Sequence, residues 1–381
     1  MSGPPVVLYN AISASETVRG VERYHLGVLP ALAALGAVRI VVLRAPWQNY
    51  YDHLGGVRGL ELVTFSPPHS RVRRGLWQLL DGGQRGRPAD ILHLGNVLPV
   101  PLGVTMPIVA MVHDVMEFRT SSAYDPVRRW ARRRLIGRLA RHARVLVTVA
   151  QPTATELAAL LRVPSDRIAV VGMGAEPVPP VEHSPAASRD RAVVFVGGLD
   201  QHKRLDLAVT ALARIPGLEL RVVSAGGPAE APVRRLAGKL GVADRVVWLG
   251  RLSDQETRRV VGSAAALLMP SDLEGFGMPV LEALQVGTPA VLSSGIPLAA
   301  EWRRLGGPVF RAGDAADLAS TLARFLDDDT LRDRLGASGP ELAGRFSWPA
   351  VAERLQAVWL DLVSGRRSPA RAGRASATRS T

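Results

Sequence analysis

The chain alternates between short apolar runs and longer stretches in which apolar residues recur every three or four positions. Runs rich in Val, Ile and Leu lie at Pro5 to Tyr9, Val38 to Leu43, Ile91 to Leu94, Ile108 to Val112, Val145 to Val149 and Ile168 to Val171. Such near-continuous runs fit strands covered on both faces, and their alternation with helix-period segments predicts a parallel sheet. The string "GMGAEPVPPVEHSPAASRD", rich in Pro, Ser and Ala, then breaks the pattern and reads as a linker. Beyond it the alternation resumes with "AVVFVGG", "LELRVVSAGG", "RVVWLG", "AALLMP" and "PAVLSS".

A second doubly wound domain follows from that repetition. The expected fold is α/β, with two Rossmann-like domains facing a central cleft lined by the carboxyl ends of both sheets, where ligands are expected. The expected boundaries are 1–175 for the first domain, 176–190 for the linker and 191–347 for the second domain. A final helix, 348–364, capped by Ser347, could cross back to the first domain, and the basic tail 365–381 reads as disordered.

Composition narrows the classes. At 381 residues the chain exceeds one ordinary core. A hydrophobic content of 47% and a mean hydropathy of +0.11 say that it folds. With no cysteine, disulfide scaffolds and thiolate metal sites are excluded. The start "MSGPPVVLYN" lacks a basic segment followed by an apolar signal core, and no apolar run approaches the roughly 18 residues of a membrane span. A soluble cytoplasmic protein is therefore expected, with peripheral attachment to the inner face of the plasma membrane as a variant of that expectation.

The formal charge of +13 suggests an anionic partner. Five arginines sit in the acid-free tail "GRRSPARAGRASATRST", and without them the charge falls to +8. A second concentration, "VRRWARRRLIGRLARHAR" at 127–144, places apolar residues at helical spacing and predicts an amphipathic helix with a basic outer face. That face is either merely solvated or directed at anionic lipid head groups.

The densest candidate chemistry is "LEGFGMPVLEALQVGTPAV", 273–291. Apolar "AALLMP" ends in a loop, and Pro279 is expected at the first position of the helix that follows. Gly275 and Gly277 bracket Phe276, so backbone amides can approach a ligand closely. A helix amino terminus after a glycine loop suits a diphosphate. Glu274 in the loop and Glu282 in the expected first turn could each accept hydrogen bonds from the paired hydroxyls of a sugar. Two glutamates eight apart also arise by chance, and acids near a helix start are favoured by the dipole alone.

The whole string resembles the signature of retaining glycosyltransferases of family 4. The resemblance continues through "GVERYHLGVLPAL", "PIVAMVHDV", "VVFVGGLDQHKRLDLAV", "RVVWLGRLSDQE", "GTPAVLSS" and "GRFSW", covering nearly all of the chain up to about Val363. It is similar above all to bacterial mannosyltransferase-like members. The resemblance implies the GT-B architecture and transfer of a hexose, with mannose the leading choice, from a nucleotide-diphosphate sugar to a saccharide, glycolipid or other glycoside acceptor. By the same resemblance Glu282 binds the ribose, Glu274 lies beside the donor sugar, and Gly275, Phe276, Gly277 and Met278 offer backbone amides. Lys203 answers the leaving diphosphate, His113 packs near the donor sugar, and Gly20 lets a loop approach the diphosphate or acceptor. Arg251 and Leu252 would flank the nucleobase. Many members carry an arginine where this chain has Gly198, so Arg204 or His202 is expected to supply a second positive charge.

No metal and no cofactor are expected, the nucleotide sugar being a co-substrate. Rival readings are an epimerase or sugar phosphorylase on the same fold, and a basic nucleic-acid-binding protein. The last lacks interleaved aromatics or a recognition module, so no nucleic-acid partner is expected. "VSAGGP" is a poor glycine fingerprint for an oxidoreductase.

Overall fold

A computed structural model of the chain describes residues 3–68, 70–84, 86–119, 126–176 and 189–365. Two compact units result: Met1–Glu176 together with Ser347–Thr381, and Pro177–Phe346.

The first unit contains β1 (Val6–Asn10), α1 (Gly20–Leu35), β2 (Arg39–Arg44), β3 (Leu60–Thr64), α2 (Arg71–Leu80), β4 (Ile91–Leu94), β5 (Ile108–Met111), α3 (Met116–Arg119), α4 (Pro126–His142), β6 (Val145–Thr148), α5 (Gln151–Leu161) and β7 (Ile168–Val170). Its sheet has the order β3-β2-β1-β4-β5-β6-β7, and every pairing is parallel. Leu8 lies between Val41 and Leu92, and all three are buried. Helices on both faces leave no solvated side, which is why the inner strands carry continuous apolar runs.

The second unit follows the same plan. Its elements are β8 (Asp190–Val196), α6 (Leu205–Leu212), β9 (Glu219–Val223), α7 (Glu230–Lys239), β10 (Val246–Gly250), α8 (Asp254–Ser263), β11 (Ala264–Met269), α9 (Met278–Gln285), β12 (Ala290–Ser293), α10 (Ala299–Arg304), β13 (Val309–Phe310), α11 (Ala315–Leu326) and α12 (Asp329–Gly344). The six strands are ordered β10-β9-β8-β11-β12-β13. The last helix, α13 (Trp348–Val363), belongs to the first unit, where it packs on α1. Ser347 Oγ accepts from the Ala350 amide at 3.4 Å and so caps it.

Two strands escape the sequence pattern. β3 is a half-buried edge strand whose Glu61 pairs with Arg39 of β2, so a charge interrupts its run. β13 is an edge strand of two residues, too short to carry any period. The segment 177–188 of the expected linker, and the tail from 366, lie outside the described residues. Among the described residues no helix is long and apolar enough to cross a membrane.

Candidate functional site

In the second unit the strand order reverses between β8 and β11, so the loops leaving their carboxyl ends diverge, the usual place for a ligand in such sheets. The loop after β8 passes Gly197 and Gly198 into a short 3-10 turn, Gln201–Lys203, and then α6. The loop after β11 carries Ser271 to Gly277 into α9. Three contacts tie these loops together. Lys203 Nζ donates to Glu274 Oε1 at 2.6 Å, with the two side chains only 19% and 11% exposed. The Asp272 amide donates to the His202 carbonyl at 2.9 Å. Arg204 Nη1 donates to Asp272 Oδ1 at 2.9 Å.

Arg204 also grips Asp206, its Nε and Nη2 each 3.1 Å from a carboxylate oxygen. Its φ of 51° lies in the left-handed region, a strain these bonds help to hold. His202 titrates below its ordinary value, chiefly because it is buried and then because Lys203 is adjacent, so it is neutral at pH 7. Its Nδ1 is buried with no hydrogen-bond partner. Neither residue expected to replace the missing arginine therefore brings an uncompensated charge: Arg204 is answered by two carboxylates, His202 carries none, and Gly198 has no side chain.

Gly277 precedes α9 with φ 103°, a conformation that disfavours any side chain. Phe276 is buried edge-on against Phe346, with ring centroids 5.6 Å apart, so it offers its backbone rather than its ring. Two expectations shift here. Because α9 begins at Met278, Pro279 stands at the second helical position, and Glu282 at the fifth, beyond the first turn. Glu282 is half-buried and shares a helix face with Met278 four residues earlier. Gly275 lies in the loop beside Glu274. Arg251 and Leu252 follow β10, the edge strand two places from β8, with Arg251 exposed and Leu252 half-buried.

The first unit reverses its order between β1 and β4. His113 lies just past β5 and is buried, its Nε2 3.4 Å from the Gly95 carbonyl beyond β4. His25 on α1 points Nε2 at the same carbonyl, 2.9 Å away, and its Nδ1 meets the Tyr51 hydroxyl at 2.7 Å. Since a carbonyl only accepts, His25 carries its proton on Nε2, and Tyr51 donates to Nδ1. His93 stacks on Tyr9, with centroids 4.5 Å apart, and accepts from Trp359 Nε1 at 3.3 Å. Burial, then the neighbouring His25, pushes both His93 and His113 down to about 3. His25 is lowered as well, again by burial first. Gly20 opens α1 and is exposed, with open space where a side chain would sit.

Sequence reasoning missed Asp272, Asp206, His25, His93 and Tyr51. Asp206 stands inside a string already singled out and Asp272 lies just before another, but only the folded loops reveal that Arg204 joins them. A polar His93 within a buried strand run was the available signal for the second group. His25 falls on the buried face of α1, where period alone reads it as core.

The chain is similar to known proteins over both units. Residues 18–177 match the family model described as Glycosyltransferase Family 4, and residues 182–342 match that of Glycosyl transferases group 1. The D-inositol 3-phosphate glycosyltransferase of Corynebacterium diphtheriae is 30% identical over 280 residues, 67% of this chain and 65% of that protein. Its Corynebacterium efficiens counterpart is 30% identical over 300 residues, 71% of this chain and 70% of the relative. The MMP alpha-(1->4)-mannosyltransferase of Mycolicibacterium hassiacum is 29% identical over 301 residues, 73% of this chain and 71% of the relative. The matched stretch thus spans a little under two thirds of the first of these relatives. Among solved structures, sucrose-phosphate synthase from Thermosynechococcus elongatus superposes with a TM-score of 0.75 at 20% identity, covering 95% of this chain and all of that one. An Anabaena HepE structure in complex with UDP and glucose gives 0.71 at 16%, covering 94% and 100%. Two Rossmann-like units in this order, with both family models matched in sequence, place the chain among the family 4 glycosyltransferases of GT-B fold.

Proposed function

We propose that the protein is a retaining hexosyltransferase that moves mannose from a nucleotide-diphosphate donor, GDP-mannose first, to a hydroxyl of a saccharide, glycolipid or other glycoside acceptor. The observation that carries this reading is the Lys203–Glu274 pair at the strand-order reversal of the second unit, beside the start of α9. A cation beside a helix amino terminus stabilises negative charge, and charge develops on the diphosphate as the glycosidic bond breaks. Glu274 holds the lysine in place and presents a carboxylate to sugar hydroxyls, while Glu282 serves the ribose. In a front-face displacement the departing phosphate oxygen accepts the acceptor's proton, so no separate base and no metal are needed. His113, held neutral near pH 7, orients a hydroxyl and transfers no proton in the reaction. The mannosyltransferase relative supports mannose as the sugar.

Saturation-transfer NMR against GDP-, UDP- and dTDP-sugars tests the donor site. One nucleotide is expected to bind selectively and to lose binding in Glu282→Ala, with turnover unchanged by EDTA. Equal binding by the variant would remove the assignment.

Peripheral attachment to an anionic bilayer extends the reading. Val72, Leu76 and Leu80 stand one turn apart on α2 and are 80%, 55% and 47% exposed, with Arg73 exposed among them. An outward apolar stripe beside arginines suits the interface of a negatively charged membrane. Vesicle flotation should increase with phosphatidylglycerol content and fall in Leu76→Asp; flotation indifferent to lipid charge would overturn it.

A further inference from the structure

A cavity of about 580 Å³ opens in the first unit, at the amino-terminal end of its sheet. It is bordered by the loop entering β5, with Leu102 and Met106, by the last turn of α4, and by the residues leading into β6 and β7. Its size is that of a small-molecule site. His113 lies at the other end of β5, roughly 15 Å away along the strand at about 3.3 Å per residue. The cavity is therefore separate from the strand ends that carry the residues described above.

Four arginines line it, Arg138, Arg141, Arg144 and Arg167, and no lining residue is acidic. The carboxyl end of a helix attracts a cation through its dipole, which could account for one of them. Arg167 already fills that part: its Nη2 donates to the Ala140 and Ala143 carbonyls at 2.9 and 2.5 Å, closing the end of α4. The other three have no ion-pair partner among the described residues, and Arg138 Nε is buried without a hydrogen-bond acceptor. A donor withdrawn from water and left unmatched is costly, and a bound anion supplies what it lacks. Guanidinium forks match the oxygens of a phosphate in particular. The rest of the wall is apolar, contributed by Val, Pro, Leu, Met and Ile side chains, and suits an organic group attached to that phosphate.

We propose that this cavity is a second binding site, for an organic phosphate ester whose phosphate meets Arg138, Arg141 and Arg144 and whose carbon skeleton lies along Leu102 and Met106. The same chemistry is offered by a soluble sugar phosphate and by a lipid phosphate, and the two differ in the carbon part.

Calorimetric titration of the full chain with inorganic phosphate, glucose 6-phosphate and octyl phosphate tests the site. At least one ester is expected to bind more tightly than inorganic phosphate and to weaken about tenfold or more in the double variant Arg138→Gln/Arg144→Gln. Preference for glucose 6-phosphate identifies a soluble ligand, and preference for octyl phosphate a lipid. Because Arg138 is half-buried, Arg141→Gln, at an exposed position, is titrated alongside and should weaken the same ester several-fold with an unchanged melting temperature. Equal affinity for all three probes, or ester binding untouched by both variants, would overturn the proposal.

Discussion

Lys203 and Glu274 illustrate how a single pair can be both architecture and chemistry. Their contact joins the loops that follow β8 and β11, and it also holds an ammonium beside the start of α9. Removing an electrostatic donor of this kind from a transition state costs on the order of 10²–10³ in rate. Lys203→Ala is expected to lower kcat by about that factor while the donor's Kd changes far less, a split read by steady-state kinetics alongside calorimetric titration of the donor. An equal loss in both quantities would make Lys203 a binding residue only. Arg204 behaves differently. Two carboxylates already hold it, so it ties Asp206 to Asp272 and adds little net field.

The contact between α1 and α13 depends on the absence of a side chain at one position. A Cβ on Gly27 would fall 2.0 Å from Trp348 Cε2, inside the indole ring. Trp348 is buried and donates from Nε1 to Glu176 Oε1 at 2.9 Å, which anchors it where it cannot swing aside freely. Overpacking of this kind costs about 1–3 kcal/mol. Gly27→Ala should therefore lower the stability of the first unit by about that amount in urea denaturation, and Trp348→Leu in the same background should recover part of it. A glycine inside a helix weakens it, and only the partner helix explains Gly27. The same holds for α4. Its basic face follows from the periodicity, and of the apolar positions expected at helical spacing, Ala131, Leu135, Ile136, Leu139, Ala140 and Ala143, all but the exposed Ala131 are buried or half-buried, while only the tertiary structure leaves Val127 and Trp130 exposed.

Across the whole molecule, the buried histidines make stability depend on pH. His25, His93 and His113 all titrate lower in the folded chain than the ordinary value near 6.5, because burial disfavours their charged forms. The unfolded chain therefore binds protons first as pH falls. Stability is fully present above about pH 6.5 and declines as pH falls, for His93 and His113 toward their folded values of about 3, by about 1.4 kcal/mol per pH unit for each of those two histidines. Glu22 opposes this at His25, since its negative charge favours the imidazolium. Thermal melts between pH 7 and 4 should show this decline, and His93→Gln should flatten it by about one proton's worth. An unchanged slope in that variant would show that His93 takes up its proton without unfolding.

The sequence alone determined the layer architecture. Parallel strands covered on both faces must be apolar throughout, and that requirement is written along the chain wherever a strand is central. It also marked the loop–helix string around Glu274, because a glycine turn leading into a helix is a local feature. Tertiary structure decided the rest. β3 and β13 are edge strands, stabilised by neighbours rather than by their own pattern. The pairing of Lys203 with Glu274, 71 residues apart, and the joining of Arg204 to Asp272 exist only once β8 and β11 lie side by side. The convergence of His25, His113 and Gly95 likewise requires three separate segments of the first unit to meet. The physical reason is range: hydrophobic period and turn chemistry act over a few residues, whereas charge neutralisation and burial depend on which distant segments the sheet order brings together.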